Sequence, residues 1–289
     1  MISAKKHHTK PAALDQAIIS NCFKIMQPLY CLLIFCLLPF NLSASVKNLN
    51  ILAPPETALA ISEIIREYSR NQNIIISADY NYMANFLNDI EEGKPANLVI
   101  TYHESWLLRL KQRGAIDIAS VTNLFTDKLV FIANQPALAQ ITDEPNLALA
   151  EINNYAAFEA YVTNQLGEPP HFIRPALANN SLGIYQAALL RRLPEAFLAQ
   201  NQIVNDYKLI PEISQALAQP SYAICFYSMV FDKSSVKIID DINSDDYQRV
   251  IYQAAIVADK NYQEAKAFSE FLRSDLARDF YLIYGFLTA

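Results

Sequence analysis

Glycine is scarce in this chain, with only five in 289 residues. Loops that cradle phosphate need closely spaced glycines so that backbone amides can approach the anion. Neither a Gly-x-Gly-x-x-Gly nor a P-loop pattern occurs, which removes the common nucleotide-binding signatures. Cysteine is scarcer still: Cys22, Cys31 and Cys36 fall in the first 45 residues and leave Cys225 alone after them, so the remainder can form no internal disulfide. No histidine stands in His-x-x-x-His spacing and no cysteines pair closely in zinc-ligand fashion, so no metal site is expected. Basic residues are in deficit, for a formal net charge of -6. An acidic surface repels nucleic acid and anionic lipid, and neither is expected as a partner. No apolar run reaches the roughly 20 residues of a membrane-spanning helix.

What is present divides into a leader and a globular remainder. Lys5, Lys6, Lys10 and Lys24 precede the apolar run Leu29 to Phe40, and Asn41-Leu42-Ser43-Ala44-Ser45 supplies small residues at a spacing that signal peptidase accepts. Residues 1–45 therefore read as a signal peptide cleaved after Ala44 or Ser45, for a periplasmic destination, with a retained membrane anchor as the alternative. Its loss would remove four lysines and one aspartate and leave a mature chain near -9, about 3 units more acidic. The rest is long enough for two lobes of ordinary size.

Periodicity gives α/β grammar. Strands are expected at 48–53, 73–77 and 97–101, alternating with helices at 57–70, 83–92 and 104–112. Ile61, Ile64, Ile65 and Tyr68 mark the first helix, and Met83, Phe86, Leu87 and Ile90 the second. Such alternation predicts a mostly parallel sheet with helices on both faces. A strand at 127–134 follows a polar loop. Further along are helices at 156–166, 182–193 and 211–218, strands at 171–174 and 222–226, and a long apolar strand at 249–258.

The most informative stretch is Glu91-Glu92-Gly93-Lys94-Pro95-Ala96-Asn97-Leu98-Val99-Ile100-Thr101. Gly93 stands where a helix end calls for the left-handed conformation, Pro95 stops the helix resuming, and Leu98-Val99-Ile100 is an apolar run suited to a strand covered on both faces. With Phe86 to Ile90 before it and Glu104-Ser105-Trp106-Leu107-Leu108-Arg109-Leu110 after it, this stretch resembles the signature of periplasmic molybdate-binding proteins: a helix, a Gly-x-Pro-Ala-Asp turn, a strand, and a helix bearing Trp. The resemblance covers roughly residues 48 to 287 and extends to the closing Tyr284-Gly285-Phe286. It implies the two-lobed type II periplasmic binding fold with two hinge crossovers, with 46–128 and 253–289 as the first lobe and 129–252 as the second. It also implies a monomeric solute-binding component of an ABC transporter that presents its closed form to a membrane permease. Molybdate or tungstate would be the ligand of such a protein and not a cofactor, and no cofactor is expected.

In that family backbone amides at helix starts are joined by hydroxyls of two Ser and one Tyr. Carried onto this sequence, the first Ser position falls on Glu56, beside Pro55. The second maps near Met83 and Ala84, with Asn81 and Tyr82 adjacent. The Tyr maps to Phe226, with Tyr227 next to it, and the second-lobe backbone contact maps to Pro175 through Asn180 and Ser181. The signature Asp is Asn97. Glu56 reads either as an acid favourably placed at a helix start or as a carboxylate in the anion's place. Each hydrogen bond to a charged group contributes about 1.5–3 kcal/mol, so losing two or three weakens anion binding by several powers of ten unless neighbours compensate. The alternative is therefore a diverged member that binds an organic or cationic solute, or a sensory or partner-binding module. Tyr80, Tyr82, Tyr102, Phe226 and Tyr227 supply rings that could line a cleft for an organic ligand or serve as ordinary packing.

For catalysis, Cys225 with His103 or His171 is the one available thiol and imidazole pair, and its strand context predicts a buried, unreactive thiol. With no nucleophile paired to a base, no enzyme activity is expected. Asp240-Asp241 and Asp245-Asp246 lack a calcium-loop pattern and read as a solvated turn.

Overall fold

A computed structural model describes residues 46–70, 72–137, 152–165, 168–176, 181–216, 219–257 and 261–288. The expected leader lies outside the described residues. Among the described residues no helix is long and apolar enough to cross a membrane.

In chain order, β1 (Lys47–Ala53), α1 (Ala58–Ser69), β2 (Ile74–Tyr80), α2 (Met83–Glu91), β3 (Leu98–Thr101), α3 (Glu104–Gln112) and β4 (Ile116–Asp127) build the first lobe. The second holds β5 (Leu129–Asn134), α4 (Tyr155–Thr163), β6 (His171–Pro175), α5 (Ser181–Leu190), α6 (Glu195–Ala199), β7 (Gln202–Val204), α7 (Asp206–Gln215), β8 (Ser221–Phe226) and β9 (Val236–Asp241). The chain then returns to the first through β10 (Val250–Val257), α8 (Tyr262–Phe271), α9 (Asp275–Ile283) and β11 (Leu287–Thr288). One sheet runs β11-β4-β10-β3-β1-β2 and the other β7-β6-β8-β5-β9.

The local signals act as their chemistry requires. Leu98, Val99 and Ile100 are wholly buried, as are all residues of β5 and β8. These are the centres of the two sheets, where covering on both faces selects unbroken apolar runs. Gly93 sits at φ +79°, with its N–H on the Ile90 carbonyl at 3.1 Å and that of Lys94 on Asp89 at 2.9 Å. That pair of bonds closes α2 with a Schellman turn.

Both sheets are mixed, where the alternation of strands and helices predicted mostly parallel ones. β1 is parallel to β2 and β3, and β6 to β7 and β8, whereas β10 and β5 insert antiparallel. These are strands entered from the opposite lobe, so their direction is set by the crossing and not by a β/α unit. The expected strand at 127–134 breaks at Lys128, and β4 occupies the stretch 116–127 that read as polar loop. Its first eight residues are largely exposed or half-buried, so polar side chains are tolerated there, and its pairing with β10 shifts register twice. β10 pairs with β4 from Val250 against Asp127, so the return to the first sheet comes at 250 and not 253. Asp240 and Asp241, read as a turn, end β9. Asp240 Oδ2 accepts the Tyr155 N–H at 3.0 Å at the start of α4. α7 begins ahead of Pro211 and contains it, because Leu209 and Ile213, both fully buried, anchor the helix on either side of the proline.

The two crossings are tied together. Lys128 Nζ bridges Asp241 Oδ2 at 2.7 Å, and the Leu129 N–H donates to the Tyr247 hydroxyl at 3.0 Å. Between them lies Asp127, 5% exposed, with Oδ1 accepting the Lys128 N–H at 2.7 Å and the Ser228 N–H at 3.4 Å. Burial pushes this carboxyl up to about 7, against the opposing pull of Ser228 and of the backbone amides around it.

Candidate functional site

Residues from three helix starts meet in the space between the sheets. Pro55 and Glu56 lie in the short turn that leads into α1, Tyr82 immediately precedes α2, and Leu182 is in the first turn of α5. All four line a cavity of about 510 Å³. Its walls are mainly apolar, completed by Ile210, Pro211, Phe226 and Met229, with Ser214, Lys233 and Ser235 as the other polar members beside Glu56. A concave, largely apolar space with a few polar groups is the usual form of a site for a small organic ligand.

Glu56 does not dangle into this space. The turn holding it is fixed by the Thr57 N–H and hydroxyl, which donate to the Pro54 carbonyl at 3.1 and 2.7 Å. The Glu56 carboxylate in turn accepts the hydroxyl of Tyr252, a fully buried residue of β10, at 3.1 Å. Burial first, and then the negative charges of Glu56 and Asp127, raise the Tyr252 phenol well above its ordinary value, so it remains a donor. Glu56 is thus both an acid at a helix start and a charge held at the cavity wall.

Behind the cavity the lobes meet through rings. Gln186 Nε2 donates to the Ile224 carbonyl at 2.6 Å and seats α5 on β8. Its neighbour Tyr185 reaches across and donates its hydroxyl to the Tyr102 carbonyl of the first lobe. Burial raises the Tyr185 phenol far above the usual range, so this proton too is retained. Tyr102 lies 5.1 Å from Tyr252 and 6.0 Å from Phe226, and Phe226 is 5.7 Å from Tyr185. Each such pair adds about 0.5–1.5 kcal/mol beyond area burial, so the cluster closes the floor of the cleft.

The residues singled out from sequence separate accordingly. Pro55, Glu56, Tyr82 and Phe226 line the cavity. Met83 is core, 2% exposed. Ala84 borders a separate hollow beside Trp106 and Arg109, whose guanidinium lies 4.9 Å from the centre of the Trp106 ring. Tyr227 belongs to the crossing, its ring 4.9 Å from Lys128 Nζ. Ser181 opens α5, and Asn180 lies outside the described residues. Tyr80 is turned to the Ser62 hydroxyl at 2.8 Å. Asn97 is a structural tie, since its Oδ1 accepts the Asn50 N–H at 2.7 Å. Sequence reading missed Tyr252, Tyr185, Ile210 and Lys233. Lys233 carried a signal, because it sits in a polar segment just after a central strand, where binding loops commonly stand. Tyr252 carried none, since one ring in an apolar strand looks like core.

Cys225 is buried, and burial together with Asp127 raises its thiol well above the ordinary value, so it keeps its proton. Among the described residues no cluster of His, Cys, Asp and Glu could hold a metal ion.

The profile of the bacterial extracellular solute-binding proteins matches residues 49–287. The chain is similar to the molybdate-binding protein ModA of Escherichia coli (strain K12), 22% identical over 251 residues that cover 85% of this chain and 91% of the relative. It is also similar to YvgL of Bacillus subtilis (strain 168), provisionally described as an ABC transporter substrate-binding lipoprotein: 24% identical over 243 residues, 83% of this chain and 86% of that one. Among solved structures, the periplasmic molybdate-binding protein of Azotobacter vinelandii superposes with a TM-score of 0.62 at 12% identity, covering 83% of this chain and 99% of that one. Since the family match runs through both lobes and both crossings, this chain belongs to the bacterial extracellular solute-binding proteins.

Proposed function

We propose that this protein is the exported solute-binding component of an ABC-type importer, and that its cleft takes an organic solute in preference to molybdate or tungstate. Export rests on the basic, apolar and small-residue sequence of 1–45. The partner would be a membrane permease that meets the closed form of a monomer.

Glu56 carries the ligand reading. Its carboxylate stands at the cavity wall where the helix start would otherwise draw an anion. Two unit charges about 4 Å apart repel by about 4 kcal/mol at an effective dielectric near 20, and a dianion would meet twice that. The other expected hydroxyls are missing as well: Met83 is buried in the core, and Phe226 offers only a ring. Apolar walls hold an organic body better than a hydrated oxyanion.

Calorimetry with molybdate, tungstate and sulfate, followed by a panel of organic solutes, tests this. The expected result is no measurable oxyanion binding, a stabilising organic solute, and a gain of at least about tenfold in molybdate affinity for Glu56→Ser. Submicromolar molybdate binding by the unaltered protein would refute it and establish the second reading, which the similarity to molybdate-binding relatives along most of their length favours.

A further inference from the structure

We infer that the cleft is built for an uncharged, mainly apolar organic solute with an oxygen that accepts a hydrogen bond, such as an aromatic or branched-chain alcohol or amide. This rests on the organic-solute reading above and adds the charge class of the solute.

The charges on the cavity wall are already answered from within the protein. Glu56 accepts the Tyr252 hydroxyl at 3.1 Å and has a further contact besides, so its carboxylate is engaged before any solute arrives. Lys233 pairs with its sequence neighbour Asp232 at 2.8 Å. Among the described residues that line the cavity these two carry the formal charges, and the charges cancel. A solute carboxylate would take the place on Lys233 that Asp232 fills, exchanging one ion pair for another while giving up its own hydration. A solute ammonium would give up hydration for an acceptor already engaged, in a lining of no net charge. An ion leaves water without loss only where complementary charge and hydrogen bonds await it. Neither sign is awaited here, so desolvation decides against both.

What the wall does offer is apolar area and a hydroxyl donor. Pro55, Leu182, Ile210, Pro211, Phe226 and Met229 present carbon, a ring and a thioether, and the last two pack well against aromatic or branched bodies. Burial of such a body is favourable with no polar partner at all. Ser214 donates its hydroxyl to Ser235 Oγ at 2.8 Å, which leaves the Ser235 proton for a solute oxygen. One neutral hydrogen bond orients the solute and asks for no ion to be dehydrated.

The experiment is a matched series on the purified protein, by thermal shift and then calorimetry. The neutral members are 3-phenylpropanol, 3-phenylpropanamide, 4-methylpentanol and 4-methylpentanamide. Their charged counterparts are 3-phenylpropylamine, 4-methylpentylamine, 3-phenylpropanoate and 4-methylpentanoate, with L-phenylalanine and L-leucine as zwitterions. At least one neutral member is expected to bind, with its charged counterparts weaker by about tenfold or more. Met229→Ser should weaken the neutral solute by about threefold or more through lost apolar wall. Lys233→Met leaves one negative charge of the lining uncompensated and should raise the affinity of the amine relative to the alcohol by about threefold or more; Glu56→Gln should do the same for the acid relative to the amide. The Lys233 side chain is about half exposed, so an unchanged melting temperature of the ligand-free Lys233→Met protein shows that the fold is kept. Failure of every neutral member, or binding of a charged or zwitterionic counterpart as tight as that of its neutral form, overturns the inference while leaving the organic-solute reading intact if that or another organic solute binds. Tight molybdate binding by the unaltered protein overturns both.

Discussion

Replacing Asp127 by Asn should make the protein more stable near neutral pH and nearly unchanged in acid. Asp127 ends β4 at the first crossing, buried, with Oδ1 bonded to the Lys128 and Ser228 amides. The titratable groups that feel its charge are Cys225, Tyr247 and Tyr252, and none of them supplies a positive charge at neutral pH. Burial raises the carboxyl from 3.8 to about 7. A folded-state value above the unfolded one means that the native protein binds the proton more tightly, so the associated stability is complete below about pH 4 and is lost as pH rises through about 7. At 1.36 kcal/mol per unit, the loss is of the order of 4 kcal/mol at most. Asn keeps the oxygen that accepts both amides and places a neutral amide where Oδ2 stands. Urea unfolding of both proteins between about pH 4 and about pH 8 gives the difference directly. The advantage of Asp127→Asn should grow through that interval by about 2–4 kcal/mol and flatten above it. A difference that does not vary with pH, or one that grows in favour of the unaltered protein, would refute the reasoning.

Other perturbations have expectations as definite. Gly285→Ala should lower stability by about 1–3 kcal/mol in the same unfolding assay, because Gly285 sits at φ +81° and an added Cβ would fall 2.3 Å from the Phe231 ring. Asn134→Ala should cost about 2–4 kcal/mol: its amide donates to the Ala216 and Gln219 carbonyls and its oxygen accepts from the Ala137 and Ser221 N–H, so four backbone hydrogen bonds are lost at once, and of the four groups the Gln219 carbonyl keeps the Ser221 hydroxyl. Tyr185→Phe removes the hydroxyl that ties α5 to the Tyr102 carbonyl. It should weaken solute binding by up to about tenfold and lower the stability of the ligand-free protein by about 1–3 kcal/mol in urea unfolding, since a buried carbonyl loses a donor while the ring cluster is retained.

Much of the first lobe was legible because its information is local. A buried central strand must be apolar throughout, and a helix end in the left-handed conformation favours glycine. Leu98 to Ile100 and Gly93 therefore announced themselves, as did the apolar stripes of α1 and α2. Pro55, Glu56, Tyr82 and Phe226 were all reached through the family resemblance, and they line one cavity, whereas Tyr227, which that resemblance placed beside Phe226, packs against Lys128 at the crossing.

Sequence alone determined the alternation of strands and helices, the acidic balance, the lone buried cysteine and the presence of a carboxylate at the start of α1. Tertiary structure decided the direction of β5 and β10, since the geometry of crossing between lobes overrides the parallel habit of a β/α unit. It also decided what Glu56 faces. Tyr252, whose hydroxyl the Glu56 carboxylate accepts, lies 196 residues away in the chain. Pairings at such separation depend on how two sheets are joined, and no pattern within either segment encodes that.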